Sequence, residues 1–185
     1  MRQLLLLLAL LFSIPCVAAQ KCPTERGDVK DLLDSGANKI LAVPESKTVE
    51  DLVKLVPPGK WTPALPRQPM EFEKVSVTAW IVGAKLETDS DFHVVIKGDS
   101  GQTMIAEFPA TACVAKAPEP MRSQMIAARR AFLHSFGTVT VKFRTLPKPI
   151  KARLTGPIFF DRLHGQTGVA PDGIEIHPVL LFEPL

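Results

Sequence analysis

Apolar and polar residues alternate with period two from Phe72 onward, after a proline-punctuated stretch with no sustained period. Val75, Val77, Ala79 and Ile81 share one face of a strand, and Ser76, Thr78 and Trp80 share the other. A second strand sets Phe92, Val94 and Ile96 against His93, Val95 and Lys97, and a third runs from Thr103 to Phe108. The period then lengthens. Met121, Met125, Ala128, Phe132 and Phe136 recur at helical spacing, which predicts an amphipathic helix from Pro120 to Ser135, ended by Gly137. Arg122, Arg129 and Arg130 lie away from that stripe. Alternation returns at Val139, Val141 and Phe143 in a fourth strand, and residues 146–149 are expected to turn the chain. Ile150 to Phe160 is a fifth strand, bent at Gly156 and Pro157. Ile174, Ile176 and Leu180 belong to a last strand, which Pro178 should confine to an edge or a bulge.

This order describes a mainly β protein. It suits a small antiparallel barrel of OB type with about five to six strands and one helix after strand three, plugging one barrel end. A helix-backed antiparallel sheet of the α+β class is the alternative. The barrel domain would span residues 72–185. Residues 20–71 form a lead-in, with a short helix Val49–Leu55 capped by Thr48 and stopped by Pro57, Pro58 and Gly59. Residues 1–19 have the form of a secretory signal peptide: Arg2, an apolar run from Leu4 to Phe12, and small residues before a cut after Ala19. That run falls short of the roughly 20 residues a membrane span needs. The mature chain is therefore expected to be secreted or periplasmic, with no span.

Export changes the reading of the cysteines. Loss of the leader removes Cys16 and leaves Cys22 and Cys113. In an oxidising compartment, a bridge between them and two separate thiols are equally compatible with the sequence. The formal net charge of +3 hides an asymmetry. Between Lys85 and Ala115 five acids face two bases, and between Lys116 and Arg162 ten bases face two acids. A solvated face explains this most simply, and an anionic ligand is the partner it would otherwise attract. No Gly-x-Ser-x-Gly elbow, phosphate loop, dinucleotide fingerprint or Cys-x-x-Cys pair occurs, and tyrosine is absent. Stacking platforms for nucleic acid have little material beyond Trp61, Trp80 and the phenylalanines.

The chemistry that remains is carried by histidines and carboxylates. If Asp99, Ser100 and Gly101 form the loop between the second and third strands, Phe92 opposes Phe108, Val94 opposes Ala106 and Ile96 opposes Met104. Every pair on that face is then apolar, and a one-residue slip would spoil it. His93 consequently faces Glu107. Such a pair is either a surface hydrogen bond or ion pair contributing about 0.2–1 kcal/mol, or a carboxylate that orients an imidazole for proton transfer or metal binding. Asp91 lies just before His93, and Glu175 and His177 share a face of the last strand. His93, Glu107 and His177 are the candidate catalytic or metal-ligating residues. Asp91, His164, Gln166 and Glu175 join them as candidate ligand-binding residues. No cofactor is expected, but this set would admit a divalent metal. For His164 and Gln166 the alternative role is to hold the glycine-rich loop between Asp161 and Gly173 by hydrogen bonds.

Three runs occur in order: Asp89 to Ile96, Gly101 to Pro109 with Cys113 beyond, and Phe159 to Val179. In them the chain resembles a family of small exported bacterial proteins of unassigned function, over roughly Glu71 to Leu185. Asp172 stands where those relatives carry asparagine, an equally good turn former. The resemblance implies export and a bacterial source and assigns no catalytic residue. The expected function is a non-catalytic binding module for a ligand, protein or polyanion, including an envelope protein. A metal-assisted hydrolase, such as a nuclease or phosphoesterase, is the alternative.

Overall fold

The computed structural model describes residues 21–57 and 59–185. The signal peptide, its cut after Ala19 and Pro58 of the predicted helix stop lie outside the described residues. The elements are α1 (Gly27–Lys30), β1 (Glu45–Lys47), α2 (Val49–Leu52), β2 (Lys74–Leu86), β3 (Phe92–Lys97), β4 (Thr103–Phe108), α3 (Met121–Phe136), β5 (Arg144–Phe160), β6 (Ile174–Ile176) and β7 (Leu181–Pro184). Short 3-10 turns occupy Ala37–Lys39 and Pro69–Phe72. The protein is mainly β, and no described helix is long and apolar enough to cross a membrane.

All seven strands belong to one sheet, in the order β1-β2-β3-β4-β6-β5-β7, with β5 also paired to β2. The pairings β2–β3, β3–β4, β4–β6, β6–β5 and β5–β2 therefore run round a ring, with β1 and β7 attached outside it. The expected all-antiparallel arrangement is not found: β4 and β6 run parallel, as do β1 and β2. Parity explains the first seam. A ring of five strands cannot alternate direction all the way round, so one neighbouring pair must run the same way.

The β3–β4 hairpin has the predicted register, with Phe92 opposite Phe108, His93 opposite Glu107 and Ile96 opposite Met104. Gly98 N donates to Gln102 O, closing the three-residue loop, and Gly101 takes φ 93°, a backbone state that side chains disfavour. Helix α3 begins one residue later than expected and buries Met125, Ala128, Phe132 and Phe136. Phe132 touches the rings of Phe92, Phe108, Phe136 and Phe182 at centroid distances of 4.7–6.0 Å, joining the helix to β3, β4 and β7. Helix α2 is shorter than expected but has its predicted cap: Thr48 Oγ1 accepts from Asp51 N, and Asp51 Oδ2 accepts from Thr48 N.

Two strand expectations fail for the same reason. Residues 139–143 form no strand and residues 146–149 do not reverse the chain; β5 runs unbroken from Arg144 to Phe160. Its ladder with β2 jumps from Ile81–Ile150 to Gly83–Thr145, so Leu146 to Pro149 lie within an irregularity where prolines omit no ladder bond. The last strand divides at Pro178. Its first half, β6, lies between β4 and β5 rather than at an edge, and the second half is β7. Pro178 falls between them, where no amide is needed. The suspected bend at Gly156 and Pro157 is where β5 passes from β2 to β6: Pro157 is its last partner of β2, and Ile158 its first partner of β6.

Parts of the lead-in pack against this ring, Val49, Leu52 and Val53 in the main core among them. Cys22 and Cys113 form a disulfide. Leu32 and Ala37 join Val114, Ala117, Met125 and Leu180 in a small second core. Arg26 donates to both oxygens of Glu71 at 2.8 and 2.5 Å, and to the carbonyls of Leu65, Pro66 and Phe160. These ties fasten the segment that carries α1 to the end of β5 at Phe160.

Candidate metal centre

Alternation along β3 and β4 sends Phe92, Val94, Ile96, Met104, Ala106 and Phe108 into the main core. The opposite face carries His93, Val95, Ile105 and Glu107. It is not solvated, as the sequence suggested: His93 is 1% and Glu107 6% exposed. Two covers account for this. One is α1, and the other is the loop from Asp161 to Gly173. The loop lies so close that a Cβ on Gly168 would stand 2.4 Å from Val95 Cγ1, and Gly168 itself takes φ 77°.

Beneath these covers the parallel seam sets β6 beside β4, pairing Ile105 with Glu175 and Ala106 with Ile176. His177 follows, and its Nδ1 is 3.2 Å from Glu107 Oε2 and 3.8 Å from Glu175 Oε2. Its Nε2 is 3.7 Å from Asp91 Oδ2. On the other side, His93 Nδ1 is 3.5 Å from Glu107 Oε1 and 3.4 Å from Glu87 Oε1. Helix α1 adds Lys30, whose Nζ is 3.3 Å from Asp161 Oδ2, and the buried Asp31 follows that helix. Asp91, His93, Glu107, Glu175 and His177 thus converge. His164 and Gln166 stay in the loop: Gln166 Oε1 accepts from His164 N, and its Nε2 donates to Arg162 O, so the glutamine shapes the loop. Both border a pocket of about 150 Å³, with His93 and Glu107 among its walls.

The hydrogen bonding of this cluster is incomplete. Asp91 Oδ1 accepts from Ala110 N. Among the described residues, Asp91 Oδ2, both Glu175 oxygens and both His177 nitrogens are buried without an aligned hydrogen-bond partner. Such groups ordinarily find partners. His93 Nε2 lies 2.9 Å from the carbonyl of Thr167, which can only accept, so Nε2 carries a proton and donates. Nδ1 is left facing two carboxylate oxygens. Only a proton or a metal cation makes that arrangement favourable.

The electrostatics agree. Burial pushes the Glu175 carboxyl up to about 7, assisted by the charge of Glu107. Burial also raises Asp91 well above the usual range and Asp31 to about 6. For Glu107, burial is outweighed by the imidazoles of His177 and His93, and its carboxyl titrates well below the usual range. Burial opposes charge on His177, but Glu107 and Glu175 overcome it and raise the imidazole to about 10. Each raised group binds a proton more tightly folded than unfolded. His177 therefore stabilises the fold fully below its ordinary 6.5, and this is lost as pH rises through about 10. Glu175 stabilises below its ordinary 4.5, and this is lost by about pH 7. Glu107 has the opposite sign, but its window lies below pH 4.5. Protein held in chelator should accordingly melt at progressively lower temperature between pH 5 and pH 9. A melting temperature that is flat or rises across that interval, followed by circular dichroism, contradicts this assignment.

Lys30, Asp31 and Glu87 were not singled out from sequence as site residues. The first two lie in the lead-in, where no spacing links them to the strands. Glu87 had a readable signal, because Leu86 pairs with Phe92 and Glu87 N donates to Asp91 O across the turn. Pairing the first and second strands would have put it beside His93.

No family model and no curated protein matches the chain. Among solved structures it is similar to an OBody, AM3L09, bound to hen egg-white lysozyme, with 12% identity over 63% of this chain and 84% of that one and a TM-score of 0.37.

Proposed function

We propose that the protein is an exported binding module whose binding face carries a divalent-cation centre formed by His93, Glu107 and His177, with Asp91, Glu87 and Glu175 around them. The observation that carries this is the convergence of buried donor atoms on Asp91, Glu175 and His177 that lack aligned hydrogen-bond partners. Imidazole and carboxylate together suit zinc or manganese. The OB reading is supported by the ring order β2-β3-β4-β6-β5 and by the placing of α3 between its third and fourth strands in the chain. In OB barrels, ligands meet the second and third strands and the loops after the first and fourth. Here those parts are β3, β4, residues 87–91 and residues 161–173, which border the pocket. A polyanion is poorly matched to that face, because Glu87, Asp89, Glu107 and Asp161 line it against Lys30 alone among the lysines and arginines. An anion would bind there through a cation.

Protein purified without chelator or affinity tag should contain stoichiometric zinc or manganese by elemental analysis. The stripped protein should take either metal back, with a rise in melting temperature. Failure of the stripped protein to bind either ion at about 1 mM, a concentration typical of weak extracellular sites, overturns the proposal. The metal-assisted hydrolase is favoured by one observation, the open pocket beside His93 and Glu107, since a catalytic metal needs a free coordination position.

A further inference from the structure

The geometry points to two cations rather than one, and we propose that the Glu107 carboxylate bridges them. This rests on the cation-centre reading above and extends it. The two oxygens of Glu107 serve different neighbours: Oε1 faces His93 and Oε2 faces His177. Glu87, His93 and Glu107 each offer one donor atom within 4.8 Å of the others, and so do Asp91, Glu107 and His177. Tetrahedral donors held about 2.0–2.2 Å from a common ion lie roughly 3.3–3.6 Å apart, so each triad has to draw in by about 1 Å or less where its donors stand furthest apart. Glu107 is the sole residue common to the two. A carboxylate bridging through its separate oxygens sets paired ions about 3.5–4 Å apart.

Two independent observations point to ions in both halves. In the inner half, Asp91 Oδ2, both Glu175 oxygens and both His177 nitrogens are buried without aligned hydrogen bonds, although Glu107 Oε2 stands 3.2 Å from His177 Nδ1. In the outer half, the Thr167 carbonyl fixes the proton of His93 on Nε2 and turns Nδ1 towards Glu87 and Glu107. The halves differ in access. Asp91, Glu175 and His177 are at most 1% exposed, whereas the Glu87 side chain is 26% exposed and borders the pocket. The inner ion is thus enclosed. The outer ion keeps positions for water and exchanges readily.

The test uses the full mature chain, stripped of metal and titrated with manganese(II) alone. Binding is followed by calorimetry, and the loaded sample by electron paramagnetic resonance. Two ions per chain are expected, with the exchange-coupled spectrum of a bridged pair. Glu87→Ala, which alters only the accessible half, should bind one ion and give the spectrum of an isolated manganese. Wild-type protein that binds one ion overturns the pair and leaves the single-cation centre standing. Protein that binds no manganese overturns the pair, and if a parallel titration shows that it binds no zinc either, the single-cation centre falls as well. Two uncoupled ions, or two ions still bound by Glu87→Ala, place the second ion elsewhere and overturn the bridge. Circular dichroism of Glu87→Ala establishes that its fold is intact.

Discussion

Glu71→Ala should lower the stability of the protein by about 3–5 kcal/mol, the usual cost of breaking a buried ion pair from one side. Both side chains of the Arg26–Glu71 pair are fully buried. Glu71 also accepts from Phe160 N and Gln68 N, so its removal leaves a guanidinium and two backbone amides without their acceptor. The three carbonyls bound to Arg26 cannot neutralise its charge. Water would have to enter, or the segment carrying α1 would have to lift. The second outcome reaches the candidate metal centre, because Arg26 lies 4.5 Å over the Phe159 ring, which stands 5.4 Å from the His177 ring. Urea unfolding of Glu71→Ala and wild type at one pH measures the loss. A difference below about 1 kcal/mol, within the range of exposed pairs, would mean that this pair does not fasten the segment.

Opening the Cys22–Cys113 bridge is the second large perturbation. The cysteines are 91 residues apart, and a closed loop of that size restricts the unfolded chain by about 4.6 kcal/mol in the chain-entropy account. The double variant Cys22→Ala, Cys113→Ala avoids stray thiols and should lose about that much in denaturant titration. Reductant should act in the same direction on wild type and have no effect on the variant. The bridge and the Arg26–Glu71 pair hold the same segment at two points only four residues apart in the chain, so combining their removal should cost less than the sum of the two. A double variant as stable as wild type would show that the packing of Leu32 and Ala37 holds the segment without the bridge.

The β3–β4 register was legible from the sequence because the core enforces it: a loop one residue shorter or longer would break the apolar pairs from Phe92–Phe108 to Ile96–Met104, and Gly101 suits the three-residue loop. Helix α3 was legible for a similar reason, its apolar stripe being uninterrupted. The burial of His93 was harder to read, since alternation in a sheet normally means one wet face. A hint was present: Val95 and Ile105 share that face and pair with each other, which a solvated surface would not favour. The covers themselves left no local pattern. Arg26 and Glu71 are 45 residues apart, and nothing periodic connects them. The prolines misled for a definite reason. Pro147, Pro149 and Pro178 mark places where a ladder lacks an amide, and such a place can be a bulge or a junction as readily as a turn or an edge.

The parallel seam between β4 and β6 has one further consequence. It sets His177, just after β6, beside Asp91 and Glu107, residues that no hairpin would bring to it. Under the proposed cation centre, Glu87, His93 and Glu107 come together as soon as β2, β3 and β4 pair, whereas the inner triad is complete only once the seam has formed. If the proposal holds, the inner ion is taken up late, when the seam closes, and the metals at hand at that moment, as much as the intrinsic preference of the donors, set which element is bound.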